Sequence, residues 1–267
     1  MRGRGTRAGG FTLIEVIVVI AVISILAAMA VPYAVKIIDQ SREAATKKEM
    51  EDIYNAIIGD PKIPTAGYLG DRGSLPANLS MLNTQGAQVG PTTGMLGVRY
   101  GWSGPYVNAG FDAAGVLADG WGTNYAWNSP AAGQIRSAGP DRAIGTADDL
   151  IYPPSAVIAT GRLLVNLYVW RTDNTTSQYV LNPQPGSFIG MTVNAQMNYS
   201  NNGTPAALSA GIPPGPAGPP YTLGPTHAGF HEVSATCTLP PNPAVSGRAV
   251  VYVPENNQQT QVNLYLR

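Results

Sequence analysis

The chain has 267 residues, of which 16 are basic and 16 acidic, and only 12% are charged. Because the charges balance and no Lys/Arg-rich tract with interleaved aromatics occurs, the composition argues against nucleic-acid binding. Glycine (31) and proline (23) exceed a fifth of the chain, which indicates many turns and short strands. The single cysteine, Cys237, cannot close an internal disulfide, and we expect it to be buried in a strand.

The N-terminus has the pattern of a membrane anchor. Residues 1–10 carry three arginines and no acid, whereas Phe11 to Val35 is apolar except for Glu15. We therefore expect a membrane span at residues 11–35 with its basic flank in the cytoplasm. A secretory signal has its small-residue cleavage site after the apolar run, but here Gly9 and Gly10 precede it. Cleavage after Gly10 would leave the anchor on the mature protein; an uncleaved anchor is the alternative that hydropathy alone favours.

Glu15 is the unusual residue of this segment. A carboxylate within a transmembrane helix costs about 2.5 to 3.5 kcal/mol on insertion scales, so it indicates a function and a partner. Cleavage before Phe11 would create an α-amino group, and Phe11 and Glu15 lie i, i+4 on one helix face. The carboxylate could equally pair with the N-terminus of a neighbouring subunit.

The helical pattern continues beyond the apolar run. Pro32 lacks a backbone donor and crowds the preceding turn, so we expect a bend or local melting there. Four apolar side chains then follow at helical spacing: Met50, Ile53, Tyr54 and Ile57. The sequence predicts one helix from Phe11 to Ile58, on the order of 70 Å long, whose first half lies in a bilayer or filament core.

The segment GG-FTLIEV, followed by an apolar run and Pro32, resembles the class III leader of type IV pilins and type II secretion pseudopilins. The resemblance implies cleavage between Gly10 and Phe11 by a prepilin peptidase and N-methylation of Phe11. It also implies that Glu15 aligns incoming subunits and that Pro32 gives flexibility. Removal of the leader would change the side-chain charge from 16 − 16 = 0 to 13 − 16 = −3.

Glycines and prolines interrupt residues 59–101, which we interpret as a long ordered loop with a short helix at Ala77 to Leu82. Farther on, Asp141, Asp148 and Asp149 fall within nine residues that also contain Gly145, and Gly139 and Pro140 come directly before them. Such a loop can fold so that hard oxygen ligands converge, as calcium requires. The spacing is not that of an EF-hand, and the alternative is that these aspartates cap turns.

Three motifs, Gly104-Pro-Tyr, Asp119-Gly-Trp-Gly and Ser137-Ala-Gly-Pro-Asp141 with Asp148-Asp149, resemble those of the type II secretion major pseudopilin. The resemblance extends over about residues 10–152. It implies a structural calcium ion held by the three aspartates, with main-chain carbonyls near Ala138 and between Ile144 and Thr146. We expect Trp121 to be a core residue.

The remaining third of the chain alternates strand-like segments with Gly/Pro/Asn turns, which predicts a small antiparallel β-sandwich. The predicted strands are Arg162 to Trp170, Ser187 to Tyr199, Phe230 to Leu239, Ala249 to Pro254 and Gln261 to Leu266. Residues 211–225 are rich in proline and glycine, and we interpret them as an extended loop. His227 and His231 lack a third metal ligand nearby, and their role stays open. Known catalytic motifs are absent from the sequence, so we expect no enzymatic activity.

The predicted fold class is therefore α+β. We expect a leader at 1–10, a helix at 11–58, a loop-rich pseudopilin head at 59–153 and an all-β extension at 154–267. The predicted function is that of a filament subunit of a type II secretion or related machine, single-pass in a bacterial inner membrane with its globular part in the periplasm. Its expected partners are further copies of itself, other pseudopilins, the prepilin peptidase, and the inner-membrane assembly platform with its ATPase. The alternatives are a surface pilus subunit displaying the β domain for adhesion, and a membrane-anchored monomeric binding module.

Overall fold

The architecture is that of a computed structural model, which describes residues 12–60, 67–107, 117–128, 133–172, 176–183, 190–211, 220–240 and 242–267. The chain divides into two compact units, residues 1–45 and residues 46–267. One long apolar helix is followed by a largely β region. The α+β fold class predicted from the sequence is confirmed.

Helix α1 extends over Leu13–Ile58, close to the predicted bounds. The helix is continuous through Pro32, so the local melting expected there is not observed. Its last turns bury Met50, Ile53 and Ile57, three of the four residues that define the predicted apolar face. That face packs into one of the two apolar clusters of the second unit.

The head around this helix end consists of short elements. It contains helix α2 (Gly67–Arg72), a 3₁₀ turn (Leu79–Leu82), strands β1 (Thr92–Thr93) and β2 (Arg99–Tyr100), and the antiparallel sheet of β3 (Ala126–Asn128), β4 (Gln134–Ser137) and β5 (Leu150–Tyr152). Tyr68, Leu69 and Ile135 are buried against the helix residues in one apolar cluster. Every residue of α2 is buried, although the sequence predicted a loop there.

The extension is a sandwich of two four-stranded sheets. Its strands are β6 (Thr160–Thr172), β7 (Ser177–Leu181), β8 (Thr192–Asn201), β9 (Thr204–Gly211), β10 (Tyr221–His227), β11 (Gly229–Thr238), β12 (Val245–Val253) and β13 (Gln259–Leu266). The first sheet has the order β10-β6-β13 with β7 also paired to β6, and the second has the order β12-β11-β8-β9. All pairs are antiparallel except β6 with β13, which is parallel. The predicted antiparallel sandwich is therefore confirmed, with this one parallel pair as the difference.

Alternation along the strands builds the core of the sandwich. In β6 the odd-numbered residues Leu163, Val165, Leu167 and Val169 are fully buried, while most of their even-numbered neighbours face outward. Cys237 of β11 is buried in the same cluster, as predicted, and burial raises the pKa of its thiol to about 11. The cysteine is therefore a small apolar core residue.

Head and sandwich pack together within the second unit. The Arg72 guanidinium donates to the carbonyl of Asn202 at 2.7 Å, and the Gly203 amide donates to the Arg72 carbonyl at 3.0 Å. The Ser200 hydroxyl donates to the Asp71 carbonyl at 2.6 Å. The domain boundary predicted between residues 153 and 154 stays a prediction, but α2 and the second sheet share main-chain contacts.

Candidate functional site

The first half of α1 exposes an apolar surface. Its large side chains from Leu13 to Ile38 are solvent-exposed, and the helix is long and apolar enough to cross a membrane by length and composition. Exposed apolar surface of this extent is unfavourable in water. A bilayer or the helices of other subunits would remove it from water.

Glu15 lies in the first turn of this helix, where it closes a capping box with Thr12. The Glu15 amide donates to Thr12 Oγ1, and the Thr12 amide donates to Glu15 Oε2, both at 3.4 Å. This reciprocal pattern is that of a capping box, in which the Glu15 amide also donates to the Thr12 carbonyl at 3.1 Å. The helix dipole also favours a carboxylate in this first turn. The sequence pattern Thr-x-x-Glu is the signature of such a capping box, and it was not among the features predicted above.

The other predicted processing residues, Gly10 and Phe11, lie outside the described residues. Pairing of Glu15 with the Phe11 amine therefore stays a prediction. Since Glu15 is exposed and its capping bonds are long, its carboxylate is accessible to a partner.

The loop with the three predicted aspartate ligands joins β4 to β5. Its carboxylates accept bonds from the loop's own amides: Ala143 to Asp141 at 2.8 Å, Asp141 to Asp148 at 3.1 Å and Gly145 to Asp149 at 2.8 Å. The Thr146 hydroxyl also donates to Asp148 at 2.8 Å. The bonds from the Thr146 hydroxyl, which contributes most, and from the Asp141 amide lower the pKa of Asp148.

Two further features determine the shape of this loop. Gly139 has φ of 65°, and a side chain there would collide with the main-chain oxygen of Asp148. Arg136 of β4 forms an ion pair with Asp149, in which Arg136 Nη1 lies 3.3 Å from Asp149 Oδ2, and the Asp149 side chain is only 4% exposed. Ala138, the predicted main-chain ligand, is fully buried at the start of the loop.

The donor set has calcium chemistry, since carboxylate and carbonyl oxygens are its preferred ligands. In the structure these carboxylates accept hydrogen bonds from amides of the same loop, and these bonds hold the loop together. Within the part of the chain that the structure describes, no group of three or more His, Cys, Asp or Glu side chains is placed to hold a metal ion. Calcium binding by Asp141, Asp148 and Asp149 stays a prediction.

The Asp-Gly-Trp-Gly motif forms a turn in which Asp119 and Trp121 are buried and the two glycines are exposed. Asp119 Oδ1 accepts the amides of Trp121 and Thr123 at 3.1 and 2.9 Å, and its Oδ2 accepts the Ser137 hydroxyl at 2.6 Å. The Gly120 amide donates to the buried Thr46 hydroxyl of α1 at 3.0 Å. Trp121 is buried, as expected for a core residue. The motif therefore joins α1 to the strand that leads into the aspartate loop.

A second buried carboxylate, Asp71, was not identified from the sequence. Its Oδ2 accepts the Tyr106 hydroxyl at 2.8 Å, whereas its Oδ1 is buried without a hydrogen-bond partner. Burial raises the pKa of Asp71 to about 6 despite the Tyr106 hydrogen bond.

His227 and His231 lie at the end of β10 and on β11, and both are buried with ring centroids 4.7 Å apart. The His227 ring lies 3.1 Å from the Ala228 carbonyl and accepts the Ser200 amide at 3.2 Å, while the His231 ring lies 2.8 Å from the His227 carbonyl. Burial lowers the pKa of both, to about 3 for His231. These contacts indicate structural, neutral histidines.

Comparison with known families gives one match. Residues 5–31 match the prokaryotic N-terminal methylation motif, which includes the start of α1 and Glu15. No curated protein and no solved structure matches the chain. The motif is that of a type IV pilin-like prepilin and indicates a subunit of a pilus or of a secretion-related filament.

Proposed function

We propose that the protein is a pseudopilin-like filament subunit of a type II secretion or closely related machine. The prepilin peptidase removes residues 1–10, Phe11 is N-methylated, and the mature subunit waits in the inner membrane with its globular part in the periplasm. Subunits, including other pseudopilins, then join through α1 on an inner-membrane platform driven by an ATPase. The growing filament moves exported proteins outward.

The observation that carries this proposal is the conjunction of the methylation motif with α1. The motif residues lead directly into a helix whose first half is exposed, apolar and marked by one carboxylate. A monomeric anchor needs apolar length but not Glu15, which costs free energy inside a bilayer. Packing against the N-terminus of a neighbouring subunit would offset that cost.

We extend the proposal to the aspartate loop, where calcium would be structural. Asp141, Asp148 and Asp149 would supply carboxylates, with the Ala138 carbonyl and carbonyls between Ile144 and Thr146. Binding would exchange some of the loop's own hydrogen bonds for ligand bonds. The ion would hold the β4–β5 connection in a protein without disulfides.

Processing tests the filament assignment. We expect Gly10→Val to leave the leader attached, visible as a precursor of higher mass in membranes, because the residue before the cleaved bond is changed. Gly3→Val in the same leader should be processed normally and serves as the control. Normal removal of the leader from the Gly10→Val variant would refute cleavage at this bond.

The appended sandwich favours a second candidate, a surface pilus subunit that displays this domain. The two proposals differ in the location of the filament, which would stay in the periplasm in the first and extend from the cell surface in the second. Immunogold labelling of intact cells should leave the cells unlabelled for a periplasmic secretion filament and should decorate extended fibres for a surface pilus. Labelling only after the outer membrane is permeabilised would support the secretion proposal.

A further inference from the structure

Four aromatic side chains form one continuous cluster on the first sheet of the sandwich. They are Tyr168 and Trp170 of β6, Tyr179 of β7 and Tyr265 of β13. Tyr168 and Tyr265 stack with centroids 4.7 Å apart, and Tyr179 meets Tyr265 at 5.5 Å and Trp170 at 4.9 Å in edge-on contacts. We call these four residues the aromatic platform.

The platform lies on the outer face of the sheet. Its β6 members alternate with the buried Leu167 and Val169, and Tyr265 lies between the buried Leu264 and Leu266. Tyr265 is 56% exposed and Tyr179 is 40% exposed. Tyr265 and Tyr179 therefore add little to the core, whereas Tyr168 and Trp170 are half-buried. A contiguous, partly exposed aromatic surface of this kind indicates a binding site.

Neutral amides adjoin the platform. Asn182 donates to Asn166 at 2.9 Å, and Asn166 donates to Asn263 at 3.0 Å, which forms a ladder across the sheet. In the β6–β13 register, Asn166 is paired with Asn263 and Tyr168 with Tyr265, two residues along both strands. The amide ladder thus lies about 7 Å from the stacked tyrosines, on the same face.

The surroundings carry little charge. Residues 154–267 contain seven charged side chains: Arg162, Arg171, Asp173, Glu232, Arg248, Glu255 and Arg267. Among the charged side chains that the structure describes, that of Arg267 adjoins the platform, with its guanidinium carbon 5.5 Å from the centroid of the Trp170 ring. A partner that depends on ion pairs finds few complementary groups here, whereas a neutral ligand does not need them.

The size of the platform limits the class of ligand. Three strands span about 10 Å, and two successive outward positions span about 7 Å. A specific protein interface buries roughly 800 Å² on each partner, whereas the platform alone spans about 10 Å by 7 Å. A disaccharide unit has dimensions of this order.

We propose that the aromatic platform and its amide ladder bind a neutral carbohydrate chain. The apolar C–H faces of sugar rings would lie on the aromatic rings, and the hydroxyl groups would bond to exposed amides such as Asn263 and to Arg267. This site depends on the sandwich and not on filament assembly. Its failure would leave the proposed filament function intact.

The test uses the full chain in a detergent without a sugar headgroup. The probes are the hexaoses of cellulose, chitin, xylan, starch and mannan, titrated separately by calorimetry, with tryptophan fluorescence as a second signal for the unmodified protein. We expect saturable binding of at least one hexaose. Because each ring supplies contact area, Trp170→Ala and Tyr265→Ala should each weaken that binding at least tenfold.

Tyr252→Ala is the matched control, because Tyr252 pairs with Phe230 on the second sheet, away from the platform. It should bind as the unmodified protein does. Circular dichroism and melting establish that each variant is folded, and the highly exposed Tyr265 provides a variant that leaves the core intact. No saturable binding by any hexaose, or equal weakening by Tyr252→Ala, would overturn the proposal. Trp170-dependent self-association without sugar binding would show an interface between copies and would overturn it as well.

Discussion

Replacement of Asp71 by asparagine should stabilise the protein at neutral pH. Asp71 is 4% exposed, and burial raises its pKa from the ordinary 3.8 to about 6. The ionised form is therefore disfavoured in the native state. Well below pH 3.8 the Asp71 carboxyl is protonated in both the native and the unfolded protein, so its burial carries no ionisation penalty. Above about pH 6 the carboxyl is ionised in both, and the native protein bears the full cost of the buried charge. Stability from this residue falls as the pH rises between these values.

The pKa difference of roughly two units corresponds to about 3 kcal/mol, at about 1.4 kcal/mol per unit. In Asp71→Asn the amide oxygen can keep the Tyr106 hydrogen bond, and the amide nitrogen replaces an oxygen that already lacks a partner. We therefore expect a gain in the free energy of unfolding of up to about 3 kcal/mol at pH 7.5. The gain should disappear at pH 3.5, where the unmodified carboxyl is neutral.

Urea unfolding of the full chain in neutral detergent, followed by tryptophan fluorescence, measures this difference at both pH values. Because the variant is compared with the unmodified protein at each pH, other titrating groups cancel. Asp52→Asn is the control, since Asp52 is an exposed partner of Lys48 and its loss should change stability by less than about 1 kcal/mol. A loss of stability in Asp71→Asn at pH 7.5, or the same gain at both pH values, would refute the reasoning.

Three further outcomes are expected. Glu15→Gln keeps a capping oxygen for Thr12 but removes the charge, whereas Glu15→Ala removes both. We expect neither variant to form filaments in electron micrographs. Filaments from Glu15→Gln would show that assembly needs the capping oxygen and not the charge. If the loop binds calcium, the unmodified protein should melt at a higher temperature in calcium than in chelator. Asp148→Ala should abolish this difference in melting temperature, whereas the control Asp52→Asn should retain it. Because His231 stays neutral when folded, its own contribution to stability should fall by about 1.4 kcal/mol per unit as the pH drops below 6.5. His231→Leu should therefore gain stability relative to the unmodified protein as the pH drops in urea unfolding, and an unchanged difference would contradict the assignment.

The strongly periodic parts of the fold could be predicted from the sequence. The bounds of α1 follow from its apolar run and from the spacing of Met50, Ile53 and Ile57. Strands β6 and β13 follow from alternation in Val165, Leu167 and Val169 and in Val262, Leu264 and Leu266. In each case one face of the element is buried, so burial imposes a pattern on the residues.

The missed elements have conflicting local signals. Strand β10 contains Gly224-Pro225, where its register with β6 shifts, so the proline lies at an irregularity that the ladder tolerates. The interpretation of residues 211–225 as a loop is therefore wrong from Tyr221 onward. Helix α2 is bounded by glycines and buried on all sides, which leaves no amphipathic pattern to recognise.

The residues of the candidate site likewise divide into those that a local sequence pattern indicates and those that no such pattern indicates. Thr12 and Glu15 form a local capping box that can be recognised from four residues. The contacts of Asp71 to Tyr106 and of Thr46 to Gly120 join residues far apart in the chain, and no local pattern indicates them. The aromatic platform likewise depends on three strands coming together in one register.

The parallel pairing of β13 with β6 has a consequence for synthesis. Val262 lies beside Val165, which is 97 residues earlier (262 − 165), and Leu264 and Leu266 complete the core that β6 begins. While the ribosome is still producing residues 173–258, β6 lacks this neighbour. The α1 segment has emerged long before and can already be in the membrane. The first sheet of the sandwich is therefore completed only after residue 266 has been synthesised, and until then the edge of β6 that pairs with β13 is exposed.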